Sequence, residues 1–355
     1  MELVYKDWGS YWTWITSQAA SKDLPDVYKM SFAYVGNYAK LGAMKELDEL
    51  IKENNFDLSQ FEPGILGMHQ YNGKQVSLPR DANIVIMYYN KDMFDKANLP
   101  YPKMESTWEE IFPLAQKLTI DKNGNTADSP NFDKENIVQW GLCVDAAGMG
   151  DAVLEPQLWS NGARLVDDNM KLTLNTPEAM EALTFFRDLY VKYHVNPSAS
   201  TITGLGGNPI PAFGTGKIAM AFGGSWSATD FKNTDFEFGT ILPPKFKETK
   251  TCVQPAGYAM SPFTKQEKGA WILLSWLVGP EGQKEVAKLN DGIPANKEAA
   301  EAYLQLDEGF DKQIFIEAQK YSIPAPWGPG KERLMWEFLP QVLQLPLQGE
   351  GDLES

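Results

Sequence analysis

The stretch LPRDANIVIMYYNKDMF, residues 78–94, decides the fold. Its centre, residues 84–89, is a nearly continuous apolar run of strand length, as a strand covered on both faces requires. Arg80, Asp81 and Asn83 form a polar lead-in, and Asn90-Lys91-Asp92 turns the run directly into a helix. Strand passing at once into helix is the mark of an α/β layer.

Working upstream, residues 26–30 read as a short apolar strand and residues 11–20 as an aromatic-rich helix that ends at Lys22-Asp23-Leu24-Pro25. Residues 2–5 also have strand character, and residues 35–41 and 45–51 suggest short helices broken at Gly42. Residues 70–76 form a hairpin pattern in which Asn72-Gly73 suits a tight turn with positive φ. Downstream, Ser106 or Thr107 caps a helix through Trp108, Glu109 and Glu110, and Thr176-Pro177 opens a strong helix to Tyr193. Residues 212–221 and 238–242 bracket Gly223-Gly224-Ser225-Trp226, a flexible corner that presents an indole. A strand at 258–261, a helix at 265–277 and another from Pro280 follow; the apolar run 270–278 is a core helix.

With 355 residues, 43% hydrophobic and 22% charged, the chain reads as two globular lobes. Its 32 basic and 47 acidic residues give a net charge of -15, which repels nucleic acid and anionic lipid alike. No run approaches the ~20 apolar residues of a membrane span. The opening MELVYKDWGS carries no basic n-region, apolar h-region or small-residue cleavage site, so the compartment is not written there. Cys143 and Cys252 read as two separate small buried residues rather than a disulfide.

Catalytic signals are sparse. His69 and His194 read as surface or helix-end residues, and no nucleophile elbow, zinc spacing or P-loop occurs, so neither cofactor nor metal is expected. Residues 121–133, DKNGNTADSPNFD, have oxygen ligands at alternate places, but without Gly at the sixth position and Glu at the twelfth they read as a solvated turn. A glycosidase needs only two carboxylates, for which Glu155 and Asp81 are nominal candidates.

Several segments together resemble the family-1 extracellular solute-binding proteins of carbohydrate ABC importers, the maltose-binding-protein-like group. Leu24-Pro25-Asp26-Val27 resembles the strand bearing "PDV", and residues 41–48, LGAMKELD, its continuation. Residues 78–94 are the most specific match, followed by Trp108-Glu109-Glu110, Leu158-Trp159-Ser160-Asn161-Gly162, residues 212–220 with Gly224-Ser225-Trp226, and Gly292-Ile293-Pro294-Ala295. The blocks run in family order over nearly the whole chain.

The resemblance implies an α/β, two-lobed periplasmic-binding-protein-like fold of type II, each lobe a β-sheet flanked by helices. The first lobe is expected at 1–83 plus 258–315 and the second at 84–257 plus 316–355, with strands 84–89 and 257–261 as crossovers. Against the family, the usual first strand and helix, the export signal or lipoprotein cysteine and the final helix are missing, so the chain is trimmed or its first lobe is completed otherwise. An unpaired sheet position there would be an aggregation hazard or a docking edge. The implied activity is non-catalytic: a mono- or oligosaccharide is held in an interlobe cleft and passed to the permease subunits of an ABC importer. A monomer without nucleic-acid partners is expected, periplasmic or anchored as a cell-surface lipoprotein. The alternatives are a glycoside hydrolase or a binder of another solute such as a peptide.

Sugars offer apolar C–H faces and a ring of hydroxyls, so a receptor needs aromatic platforms and planar polar groups. Trp226 and Trp327 are loop-borne indoles; Arg80, Asp81 and Asn83 stand at the start of a crossover; Phe32, Gly257 and Tyr258 are candidate walls, with Glu155 and Trp159 on a helix of the second lobe. A surface ion pair with Asp81 stands beside ligand contact for Arg80, and core packing stands beside stacking for either tryptophan, with stacking favoured for Trp226 because its flanking glycines leave it little helix or strand to pack in. Sugar bridging both lobes favours the closed form by its differential contacts, and moving an open population from 99% to 1% takes on the order of 5.5 kcal/mol.

Overall fold

The computed structural model describes residues 2–353 apart from 168, 170, 290, 291, 307–309, 311 and 324–329. The chain divides into two compact units, one of Met1–Ala82, Pro255–Leu306 and Pro326–Lys331, the other of Asn83–Gln254, Asp307–Ala325 and Glu332–Ser355.

In the first unit, strand Val27–Ser31 pairs antiparallel with Ala256–Met260, which pairs on its other side with Leu78–Pro79. Helix Trp8–Ser21 lays Trp12 and Ile15 into the core with Tyr28, Met30, Val35, Tyr38 and Ala259. Asp7 caps that helix by accepting from the Ser10 N–H at 3.0 Å, and Lys22 ends it in the left-handed region. Asn72 and Gly73 both take positive φ, 50° and 74°, so strands Gln70–Tyr71 and Lys74–Gln75 meet as a tight hairpin. Residues 2–5, expected as a strand, belong to no element, and Leu3 and Tyr5 are 88% and 86% exposed. Strand propensity is largely packing against neighbours, and no strand pairs with this segment.

In the second unit, Val85–Asn90 is the central strand, antiparallel to both Met220–Gly224 and Phe238–Ile241, and every one of its residues is buried. Tyr88 donates to the Gly224 carbonyl at 2.8 Å while its ring meets Phe231 edge-on at 4.8 Å. Asn90 caps helix Lys91–Lys96, and Thr107 with Glu110 forms a full capping box on Trp108–Leu118. Helix Pro177–Val191 begins with the Thr176 cap and first-turn proline.

Some segments fall elsewhere than expected. The chain changes unit at 82/83 and 254/255, so the strands expected as crossovers each lie wholly inside one unit. The expected lobe boundary at 315/316 cuts helix Gln313–Gln319, which lies wholly in the second unit: Phe315 is fully buried and contacts Phe310, whose ring lies 5.6 Å from Phe238. Lys331, expected in the second lobe, belongs to the first unit; beside it the Gly330 N–H donates to Asn37 Oδ1. His69 is no surface residue but fully buried, whereas His194 does end a helix, with φ 54°. Both cysteines are buried and unbridged. In the 121–133 turn, Asp121 Oδ1 accepts the N–H groups of Asn123 and Asn125, and Oδ2 those of Asp133 and the Asn125 amide, within 3.0 Å. Burial works against that carboxylate, but these donors hold its pKa down at about 2.

Candidate functional site

The second unit gathers a connected set of polar and indole groups beyond the end of strand Met220–Gly224. Trp226 is half-buried, and its ring lies so close on the Gly224 α-carbon that a methyl group there would stand 2.0–2.2 Å from three ring atoms. Between them Ser225 is pinned to the central strand: its N–H donates to the Ile84 carbonyl at 2.9 Å, and its hydroxyl donates to Asn83 Oδ1 at 2.8 Å. The Asn83 carbonyl in turn accepts the Gln254 N–H at 2.7 Å, and the Gln254 amide donates to Asp151 Oδ2 at 2.8 Å. Trp336 completes the chain, donating from Nε1 to Asp151 Oδ1 at 3.2 Å.

Asp151 and Trp336 both stand on π-helical turns, Gly150–Leu154 and Leu334–Phe338, a backbone form that recurs at functional sites. The turns approach closely, because a side-chain carbon at Gly150 would lie 3.3 Å from Met335 Cε. The result is a carboxylate whose two oxygens accept from an amide and an indole, joined through Gln254 and the Asn83 backbone to Ser225 and the half-buried Trp226. Glu155 follows directly and is buried, and Trp159 is only 9% exposed, so most of that ring is core. Replacing Asn83 by alanine leaves the buried Ser225 hydroxyl without its acceptor; we expect about 1–2 kcal/mol lost in urea unfolding, with Ser225→Ala recovering part of it in the double variant.

In the first unit, Arg80 and Asp81 form an ion pair at 3.1 Å, but it is buried rather than at the surface, and the Ala256 N–H also donates to Asp81 Oδ1 at 2.7 Å. This arrangement locks the lead-in segment to strand Ala256–Met260. Phe32 is buried and opens helix Phe32–Lys40, its N–H donating to the Pro255 carbonyl. Tyr258 is half-buried opposite Lys29 in the sheet register; the Lys29 ammonium lies 5.4 Å from the Trp8 ring, and Tyr11 donates to the Lys29 carbonyl at 2.6 Å. Burial first, then the neighbouring Tyr38 and Tyr258, push the Tyr11 phenol up, so it stays a donor.

Gly257 is buried for a steric reason: a methyl group there would stand 2.2 Å from the Leu78 carbonyl oxygen and 2.6 Å from His69 Cε1. Gly257→Ala is therefore expected to cost about 2–3 kcal/mol, read by thermal unfolding. Gly269→Ala, in an open helical position with nothing within 4 Å, is expected to raise stability by roughly 0.5–1 kcal/mol. Equal shifts for the two would remove the steric account.

Of the residues singled out in sequence, Asn83 and Trp226 are thus linked in the second unit, and Arg80, Asp81, Gly257 and Tyr258 share one sheet region of the first; Trp327 lies outside the described residues. Sequence reasoning misses Asp151, Gln254, Trp336, Trp8 and Tyr11. Only Gln254 carries a local signal, standing three residues before Gly257.

Residues 1–312 match the family of bacterial extracellular solute-binding proteins. The sn-glycerol-3-phosphate-binding periplasmic protein UgpB of Brucella abortus is 38% identical over 151 residues, 42% of this chain and 33% of that protein; the same protein of Brucella suis matches equally. The match thus spans about a third of the length of these curated relatives. Among solved structures, the ABC substrate-binding protein Lmo0181 from Listeria monocytogenes in complex with cycloalternan superposes with a TM-score of 0.86 at 24% identity, over 98% of this chain and 86% of that one. The maltose-maltodextrin binding protein of Alicyclobacillus acidocaldarius gives 0.77 at 21%, with the same coverage. A Thermotoga lettingae solute-binding protein bound with alpha-D-tagatose gives 0.79 at 21%, again over 98% and 86%. These likenesses show the fold, the type II periplasmic-binding-protein architecture.

Proposed function

We propose, because this chain belongs to the bacterial extracellular solute-binding proteins, that it captures a small uncharged carbohydrate outside the cytoplasm and hands it unaltered to the membrane subunits of an ABC importer. The observation that carries this reading is the oriented set Trp226, Asn83, Asp151 and Trp336. Two indoles offer faces for sugar C–H groups, and a carboxylate oriented by an amide and an indole is a hydroxyl-binding group of the kind sugars call for. Several structural neighbours are complexes with sugars, namely cycloalternan, alpha-D-tagatose and maltotriose, which supports the same class.

A polyol phosphate, the ligand in the name of the Brucella relatives, fits less well. A phosphate group calls for arginine, lysine or clustered N–H donors, whereas the second unit's set carries a carboxylate and Arg80 already pairs with Asp81. Of the two nominal hydrolytic carboxylates, Asp81 is already engaged by Arg80 and a backbone N–H, which weakens the hydrolase reading. No helix among the described residues is long and apolar enough to cross a membrane. The importer, the placement in the periplasm or on the cell surface, and action as a monomer belong to the same proposal.

A thermal-shift panel of mono- and oligosaccharides with glycerol 3-phosphate, followed by product analysis of the hits, tests it. Stabilisation by a neutral sugar recovered intact is the expected result. Stabilisation by glycerol 3-phosphate alone, or turnover of a sugar, overturns it.

A further inference from the structure

A second groove opens at the other end of the second unit's sheet. Trp140 bridges in parallel to Ile218 and Cys143 to Ala221, whereas Trp226 lies beyond Gly224. Ile218 and Gly224 are six positions apart along an extended segment, so the two ends are about 20 Å apart. The groove measures about 520 Å³, within the roughly 300–1,000 Å³ of small-molecule sites.

Its floor is rigid. Trp140 donates its backbone N–H to the Lys217 carbonyl at 3.0 Å and its carbonyl accepts from the Ala219 N–H at 2.9 Å, which fixes the backbone that carries the half-buried indole. Asn196 is buried and doubly bonded to the Val144 backbone, and the Tyr190 hydroxyl donates to the Val144 carbonyl at 2.6 Å. On this base stand short polar groups: the Ser198 and Thr201 hydroxyls, 3.0 Å apart, and the Gln348 amide, whose oxygen accepts the Ala199 N–H. Among the described residues nothing accepts a hydrogen bond from the Trp140 indole N–H.

Charge at the groove is mixed. Lys134 and Glu135 are exposed on the rim and Glu350 joins them, so one cation is set against two anions that water screens. Burial, and then Lys134, holds the His194 imidazole below its ordinary range, leaving it neutral at pH 7. A half-buried indole with convergent hydroxyls and an amide is the chemistry that accepts a polyhydroxylated ring.

We infer that this groove is a second, weaker binding site for a neutral sugar, separate from the Trp226 site and not dependent on it. Its own neighbours in the second unit suffice to build it. Occupancy there would hold a further sugar on the protein at high ambient concentration.

Indole-¹⁵N-labelled full chain, with the Trp140 resonance assigned through Trp140→Phe, is titrated with glucose and maltose, and with glucosamine and glucose 6-phosphate as charged counterparts. The expected result is a saturable shift of the Trp140 N–H with the neutral sugars that persists in Trp226→Ala. Thr201→Val, which keeps shape and removes a hydroxyl, should raise the midpoint several-fold. No shift, a shift only with the charged sugars, or a shift that disappears in Trp226→Ala overturns the inference. Because the Trp226 resonance reports in the same spectra, failure of the main site would be read separately.

Discussion

Gly224→Ala is expected to weaken ligand capture about a hundredfold, roughly 2.7 kcal/mol, while leaving the melting temperature of the free protein within a few degrees of the parent. The new methyl group would stand 2.0–2.2 Å from Cζ3, Cε3 and Cη2 of Trp226, and one partner has to move. The strand cannot, because Gly224 pairs with Val85 in register and its carbonyl accepts the Tyr88 hydroxyl. The half-exposed indole can swing outward, and in doing so it abandons the platform position. Lost stacking and lost apolar contact on a sugar face together account for a loss of that order. Trp226→Ala should reproduce it within a few-fold, since both changes remove one surface. Calorimetric titration with the best sugar from the panel measures both, and a Gly224→Ala protein that binds as tightly as the parent would sink the platform assignment.

The parts of this site that are legible in sequence are those whose local pattern leaves a residue little else to do. Trp226 follows two glycines and a serine, and Asn83 opens a fully apolar strand, so both stand out in the bare chain. Asp151 and Trp336 do not, because nothing local sets either apart from an ordinary helix residue, and the π-helical turns that carry them, packed together at Gly150 and Met335, have no signature in the chain. The same limit misplaces His69, which follows a short helix and precedes a hairpin and so reads as peripheral. Only the sheet shows that Gly257 leaves room for its ring. The fold is more legible, since alternation of strand and helix survives local error, but the expected boundary at 315/316 cuts helix Gln313–Gln319 because nothing local encodes which sheet Phe315 covers.

His69 makes the first unit acid-labile well above the range of ordinary carboxylates. Its Nδ1 shares a hydrogen bond with the Ser77 hydroxyl at 2.7 Å, its Nε2 is buried with no partner among the described residues, and burial pushes its pKa from 6.5 down to about 3. Between those values the unfolded chain takes up a proton that the folded one refuses, so the stabilising effect of the neutral ring is complete above pH 6.5 and is lost progressively as pH falls. Each pH unit is worth about 1.4 kcal/mol, hence about 2.7 kcal/mol between pH 6.5 and 4.5 and on the order of 4–5 kcal/mol by pH 3. The upper half of that window lies above the ordinary carboxylate range and isolates the histidine. His194, also lowered by burial, adds a slope of the same sign, and Asp145, raised by burial, adds one of opposite sign. Both cancel when the parent is compared with His69→Gln, whose amide can still reach Ser77 but takes up no proton. Urea unfolding at stepwise pH should therefore give a steep fall for the parent and a flatter one for His69→Gln, the curves converging toward acid. Curves that stay parallel from pH 7 to 4.5 would mean that the folded ring takes up its proton as readily as the unfolded one, and the assignment of the acid lability to His69 would fail.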